Sequence, residues 1–163
     1  IGVHTRTHRH WPELSTLDAW EEINGSRDDL CSRGLNPTTF AYPYGDWNSS
    51  VVKQVREAGY LAARTTIEGF NDDETSPLLL RCQHVTYNLD EEDVHELINY
   101  AQQHQLWLIL TYYQIEPQEV LEERKWIHGT TPTMLVSNLA YLTSIRAPVV
   151  TVQDGIENLI RIK

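Results

Sequence analysis

His4 and His8 stand four residues apart in Val3-His4-Thr5-Arg6-Thr7-His8, near the start of a chain with seven histidines in 163 residues. Imidazole is a good ligand for zinc-like divalent ions. Two of them, one at a strand end and one on the turn that follows, can reach a single ion. The same spacing also fits two surface histidines in a loop. His10 is a further candidate ligand, although alternate residues of a strand point to opposite faces. A second chemical signal is Tyr42-Pro43-Tyr44-Gly45. Proline fixes φ and glycine permits positive φ, so this turn can aim a backbone N–H into a pocket and stabilise a tetrahedral oxyanion. An ordinary Pro/Gly turn gives the same letters. Trp47 beside it can stack on a sugar ring or be half-buried packing.

Strands and helices must place these residues. Ile1 to Val3 begins as a strand, so the histidine pair falls at a carboxyl end, where ligands gather in parallel α/β folds. A helix is expected from about Thr16 to Arg33, with Trp20, Ile23 and Leu30 inward and Gly34 as its stop. Thr38 to Ala41 reads as a strand. Asn48 caps a helix carrying Val51, Val52 and Val55, which Gly59 ends. Leu61 to Arg64 and Leu78 to Val85 are further strands. Acidic residues from Asp90 to Asp93 open a helix in which Val94, Leu97, Ile98 and Ala101 share one face. Leu106 to Tyr112 reads as a strand buried on both faces. Thr131-Pro132 starts a helix with a Leu135, Leu139 and Leu142 stripe. Val149 to Val152 is expected as the last strand, and Asp154 as the cap of a terminal helix. About six alternations of strand and helix predict a parallel α/β fold, which an open sheet and a barrel satisfy equally.

Composition narrows the function. Apolar residues are 40% and charged residues 22% of the chain, a globular balance compatible with one domain over residues 1–163. Net charge is −10, from 13 basic and 23 acidic side chains, with no basic cluster. Such a surface does not track phosphates, so no nucleic acid is expected as a partner. The longest unbroken apolar run, Leu106 to Leu110, is far short of the ~20 residues of a membrane helix. Cys31 and Cys82 form no metal motif. They could pair in an oxidising compartment, and nothing in the sequence brings them together.

Taken in order, Gly2-Val3-His4-Thr5-Arg6-Thr7-His8, a capped helix, and Phe40-Ala41-Tyr42-Pro43-Tyr44-Gly45-Asp46 resemble the polysaccharide deacetylases of carbohydrate esterase family 4. The resemblance continues through Glu57-Ala58-Gly59-Tyr60, Ala63-Arg64-Thr65-Thr66, Trp107-Leu108-Ile109-Leu110 and Pro148-Val149-Val150-Thr151-Val152, nearly the whole chain. It implies a distorted (β/α) barrel, incomplete at its N-terminus, and a metal-dependent hydrolase that removes N-acetyl groups from amino-sugar polysaccharides outside the cell or at its surface. A zinc-like divalent ion would be held by His4, His8 and one Asp, and the Tyr44 N–H would help hold the oxyanion. Tyr42, Pro43 and Trp47 would contact the polymer.

Three departures from the family pattern bear on activity. The Thr-Phe-Asp-Asp-Gly motif, which supplies the base and the third ligand, is absent, as if two βα units of about 30 residues each lay upstream. Tyr113 stands where a histidine is expected to protonate the leaving amine, and a phenol with a pKa of ~10 suits neutral pH less well. Ala41 replaces an Arg that orients the base; Arg64 is a candidate substitute, or forms an ordinary surface salt bridge. Two functions therefore compete, a deacetylase domain and a catalytically degenerate member that binds glycans. An incomplete barrel would also leave Ile1 to Val3 and Val149 to Val152 as open edges, to be covered by a partner chain or by a second copy in a homo-oligomer.

Overall fold

The residues after Asn36-Pro37 do form a strand, β1 (Thr39–Ala41), in the computed structural model, which describes residues 1–161. Contacts divide the chain into two units: Ile1–Ile67 and Asp73–Arg81 with the residues from Val150 onward, and Glu68–Asp72 with Cys82–Val149.

In the first unit β1 pairs in parallel with β2 (Ala62–Glu68), with Thr39 opposite Ala62 and Ala41 opposite Arg64. The N-terminal segment lies on the other side of β1. The Val3 N–H donates to Thr39 O at 2.9 Å, and the Ala41 N–H donates to Val3 O at 2.8 Å. Only a single bridge, Val3 to Phe40, forms there, so the expected first strand is shorter than its pattern suggested. The long helix is present in three sections. Helix α1 (Thr16–Trp20) runs into a π-helical stretch (Glu21–Gly25) and then α2 (Ser26–Cys31). Ser15 caps it by accepting the Asp18 N–H, and Gly34 follows it at φ 80°. Helix α3 (Ser49–Glu57) starts as expected, with Asn48 Oδ1 accepting the Val51 N–H at 2.9 Å. Val3, Ile23, Phe40, Val51, Val55, Tyr60 and Ala63 form one buried cluster between these helices and strands. The amphipathic 3.6 and alternating 2.0 periods meet there.

The second unit departs more from expectation. Helix α4 (Glu91–Gln103) has the predicted start, a reciprocal box in which Asp90 and Asp93 accept each other's backbone N–H at 3.0 and 2.9 Å. Strand β3 (Leu80–His84) begins in the first unit and ends here, where Gln83 and His84 pair in parallel with Leu110 and Thr111 of β4 (Leu110–Thr111). The run Leu106 to Tyr112 is not one strand buried on both faces. Trp107 makes an antiparallel bridge with Asn71, only Leu110 and Thr111 join β3, and the whole run is half-buried. Sequence reading missed the short parallel pair β5 (Gln114–Ile115) and β6 (Gly129–Thr130) and helix α5 (Gln118–Arg124) between them. Two-residue strands carry no readable period.

Helix α6 (Pro132–Ser144) starts at the predicted Thr131 cap. Of the expected stripe Leu142 packs inward and Leu139 is exposed, and Met134, Asn138, Tyr141 and Ile145 join Leu142 in facing the interior. Asn138 is fully buried; its Nδ2 donates to the Tyr112 hydroxyl at 3.1 Å, while its Oδ1 has no hydrogen-bond partner among the described residues, so this polar core position is only half satisfied. The expected strand Val149 to Val152 is absent. Val149 and Val150 are 71% and 45% exposed, and helix α7 begins at Val152. Thr151 supplies the cap, accepting the Asp154 N–H at 3.1 Å, so Asp154 sits inside the first turn and is not itself the cap. Pro148 lacks a ladder N–H and Thr151 is drawn into the cap, which leaves the valines no strand to extend. The second expected open edge is therefore not a strand. Cys31 and Cys82 form no disulfide. No helix among the described residues is long and apolar enough to cross a membrane.

The Asp90 box should be a measurable part of the second unit's stability. Asp90→Ala is expected to lower stability by about 1 kcal/mol, seen as a lower denaturant midpoint at unchanged slope. No shift in midpoint would show that helix α4 does not depend on its cap.

Candidate functional site

The histidine pair is set by the first unit's backbone. Val3 is bonded to β1, so His4 emerges beside the carboxyl end of that strand, and its Nδ1 lies 2.8 Å from Ala41 O. A carbonyl there fixes the proton on Nδ1 and leaves the Nε2 lone pair for another partner, the arrangement that metal-ligating histidines use. The His8 ring stands edge-on to His4, with centroids 4.6 Å apart. Burial first, then the charges of His8 and Arg64, push the His4 pKa down against the Ala41 hydrogen bond, which favours the neutral, ligating imidazole. Both the Thr5 and His8 backbones adopt left-handed φ, 64° and 57°, closed by the His8 N–H donating to Thr5 Oγ1 at 3.1 Å. Non-glycine residues in that region cost energy and persist only when their surroundings over-determine them.

The surroundings that do so centre on Glu22. Its carboxylate accepts the Arg6 and Thr7 backbone N–H groups, both at 2.9 Å, and the Thr7 hydroxyl at 2.5 Å. Burial alone would raise this carboxyl, but hydrogen bonds from Thr7, Arg6 and Thr5 together hold it below the ordinary glutamate value. Arg6 adds a bidentate pair to Asp29 at 2.6 and 2.8 Å and a contact to Glu21 at 3.1 Å. Its guanidinium crosses Gly25 so closely that a Cβ there would stand 2.5 Å from the guanidinium carbon. Glu22 and Gly25 both lie in the π-helical stretch. The carbonyls of Glu22 and Ile23 bond to Ser26 Oγ at 2.6 and 2.9 Å, and Ile23 O also accepts the Tyr60 hydroxyl at 3.0 Å. Extra partners of this kind sustain a π stretch, a feature common at functional sites.

The Tyr42-Pro43-Tyr44-Gly45 turn closes the other side. Tyr44 takes φ 57° and Gly45 φ 75°. A Cβ on Gly45 would collide with the Thr66 side chain, so glycine is required on both counts. The Tyr44 ring meets His8 edge-on at 4.5 Å and lies flat on His10 at 3.6 Å. His10 Nδ1 is 3.0 Å from Asp46 Oδ2 and its ring lies flat on Tyr44, and among the described residues it forms no three-ligand group with His4 and His8. Tyr44 is 51% exposed, and Trp47 is exposed beside it. Arg64 donates to Thr65 O at 3.1 Å and contributes its charge to the His4 environment.

Two expected substrate contacts need correction. Tyr42 is buried, its hydroxyl donates to Leu78 O at 3.0 Å, and burial raises its pKa; Pro43 is buried with it. These residues shape the turn from inside and present no surface to a polymer. Tyr113 belongs to the second unit, where its hydroxyl lies 3.0 Å from His84 Nδ1 and its ring 5.4 Å from His128. Sequence reading passed over His84, although the strand-end rule that selected His4 applies equally at the end of β3. Among the described residues no group of three or more His, Cys, Asp or Glu is arranged to hold a metal ion. The donor set on the page is thus two imidazoles, one with its tautomer fixed.

The polysaccharide deacetylase family model matches residues 1–63, a stretch that contains His4, His8 and the Tyr44 turn. Among solved structures, the deacetylase PplD of Streptococcus pyogenes, in complex with acetate, is similar at 24% identity and TM-score 0.55, covering 58% of this chain and 42% of that one. A polysaccharide deacetylase from Bacillus cereus is similar at 25% identity and TM-score 0.54, covering 60% and 31%. A family 4 carbohydrate esterase from Streptomyces lividans, in complex with acetate, is similar at 16% identity and TM-score 0.53, covering 93% and 66%. The chain thus spans less than half the length of the first two. The fold is α/β of the deacetylase barrel type, represented in part. No curated protein matches the chain in sequence.

Glu22 makes this site testable through stability. Its folded pKa lies below its unfolded one, so the stability it contributes is present above the ordinary glutamate range and lost as pH falls through the folded value. Glu22→Gln is expected to lose about 1.5–3 kcal/mol at neutral pH and to flatten the acid side of the stability–pH curve. An unchanged acid limb in urea unfolding would remove Glu22 from this role.

Proposed function

We propose, for a chain assigned to the polysaccharide deacetylases through its first 63 residues and its fold, that it carries part of a metal-dependent site that removes N-acetyl groups from amino-sugar polymers. The observation that carries this reading is the His4–His8 pair, with His4 Nδ1 on Ala41 O and the Tyr44 turn against His8. His4 and His8 would hold the ion, zinc-like by the chemistry of two neutral imidazoles, with a carboxylate ligand from outside the described residues. When bound, such an ion supplies Lewis acidity toward the amide carbonyl and an acidified water.

This chain's own residues contribute binding and orientation. Tyr44 takes a left-handed backbone position in the turn closed by Gly45 N–H on Tyr42 O and Asp46 N–H on Pro43 O, and its own N–H is available to an oxygen that gains negative charge. The exposed Tyr44 and Trp47 rings offer faces to a pyranose, which also supports the second reading, a glycan-binding member without efficient turnover. The Tyr113 hydroxyl, coupled to His84, is the second unit's candidate proton donor. An N-acetylated extracellular or cell-surface polysaccharide is the substrate class that this chemistry fits, and a homo-oligomer remains part of the reading as a way to complete the barrel.

Zinc or cobalt titration should give a weak site that His4→Ala and His8→Ala each weaken at least tenfold, by about 1.4 kcal/mol, while His10→Ala changes it little. Equal loss with His10→Ala would break the two-histidine assignment. General-base catalysis typically contributes about 10²–10⁴-fold, and two imidazoles alone leave that role unfilled. Acetate release from N-acetylglucosamine oligomers by the 163-residue chain is therefore expected to be negligible. Robust, chelator-sensitive release would show that a base and a third ligand are already in place.

A further inference from the structure

The second unit contains a cleft of about 520 Å³, of whose lining the chemistry above uses only His84. Leu89 and Leu97 line it together with His84, and Phe70 and Tyr100 form an aromatic pair at its wall. Tyr100 makes tilted ring contacts with Phe70 at 5.0 Å and with His104 at 4.2 Å, yet stays 47% exposed. An aromatic ring that is fixed in place and still open to solvent can receive the apolar face of a sugar at little entropic cost. The polar lining carries one sign of charge. Glu68, Asp93 and Glu96 border the cleft, and no Lys or Arg does. Asp93 is committed to the Asp90 box, whereas Glu68 and Glu96 have no hydrogen-bond or ion-pair partner among the described residues.

Carboxylates of this kind beside a held aromatic wall and an apolar floor select a ligand with a positive charge on a ring body. A neutral sugar would draw no benefit from the charge of the two exposed glutamates, and a small inorganic cation would leave the aromatic wall and the leucines without contact. We infer that this cleft binds a protonated amino-sugar unit, with the ammonium at Glu68 and Glu96 and the pyranose face on Tyr100. The choice of amino sugar rests on the deacetylase reading, because deacetylation converts a neutral N-acetyl unit into this cation. The cleft would thus favour polymer already deacetylated at one unit, a specificity for partly processed substrate or for product.

The test is an amide NMR titration of the full 163-residue chain at fixed ionic strength near pH 6. The ligands are a fully deacetylated β-1,4-glucosamine tetramer, its N-acetylated counterpart, and spermidine. The expected result is that the glucosamine tetramer shifts Leu89, Leu97 and Tyr100, the N-acetylated tetramer leaves them in place, and Glu96→Gln and Tyr100→Leu each weaken binding about tenfold with the spectrum otherwise folded. No shift at these residues would overturn the inference, as would spermidine producing the same shifts with equal affinity, which would reduce the cleft to a site for any polycation. Failure of the deacetylase reading is read separately. Loss of zinc binding at His4 and His8 as an expectation leaves the glucosamine result standing, and an N-acetylated tetramer that shifts only Tyr44 and Trp47 supports the deacetylase reading while the cleft fails.

Discussion

The first unit depends on one carboxylate. Glu22 accepts two backbone N–H groups and a hydroxyl from Arg6 and Thr7, and so holds a segment whose two left-handed residues would otherwise relax. Those bonds outweigh the burial that would neutralise it. The carboxylate can reach this segment because the helix widens at Glu21–Gly25, and the widened turn is supported in turn by Ser26, Tyr60 and the Arg6 guanidinium over Gly25. Helix irregularity, loop strain and histidine placement are therefore one arrangement. The energetic logic is that of a preorganised site, in which backbone strain is sustained by hydrogen bonds made to a charge.

On the other side of the pair the same principle operates through aromatic contact. Tyr44 has a left-handed backbone, needs the glycine after it, and is supported by His10 lying flat against its ring. His10 is in turn held by Asp46. A residue that looked like a spare ligand thus serves to orient the turn. The buried Tyr42 and Pro43 do the same from beneath, where their conformational restriction matters more than any surface they present. In the second unit, Tyr100 repeats the theme of a ring held by neighbouring rings, here Phe70 and His104.

What could be read in the sequence was whatever has a local cause. Asn48 and Asp90 cap helices because their side chains reach an N–H three residues on, and Thr131-Pro132 starts a helix for the same reason. His4 and His8 could be paired because the strand-end rule and a four-residue spacing are both linear properties. The resemblance carried by residues 1–63 is linear as well. The β1 and β2 strands followed from short apolar runs bounded by turn residues.

The tertiary structure decided the rest, where the partner of a residue lies far along the chain. Asn138 lies buried on the inner face of α6, where its Nδ2 meets the Tyr112 hydroxyl from 26 residues away. Val149 to Val152 has the composition of a strand, but Pro148 offers no ladder N–H and Thr151 is worth more as a helix cap. His84 and Tyr113 are separated by 29 residues and meet because β3 and β4 end side by side. The sequence by itself determined which residues can ligate, cap and turn, since those depend on side-chain chemistry and short spacing. Which of them face one another was decided by strand register and helix rotation, which no local pattern records.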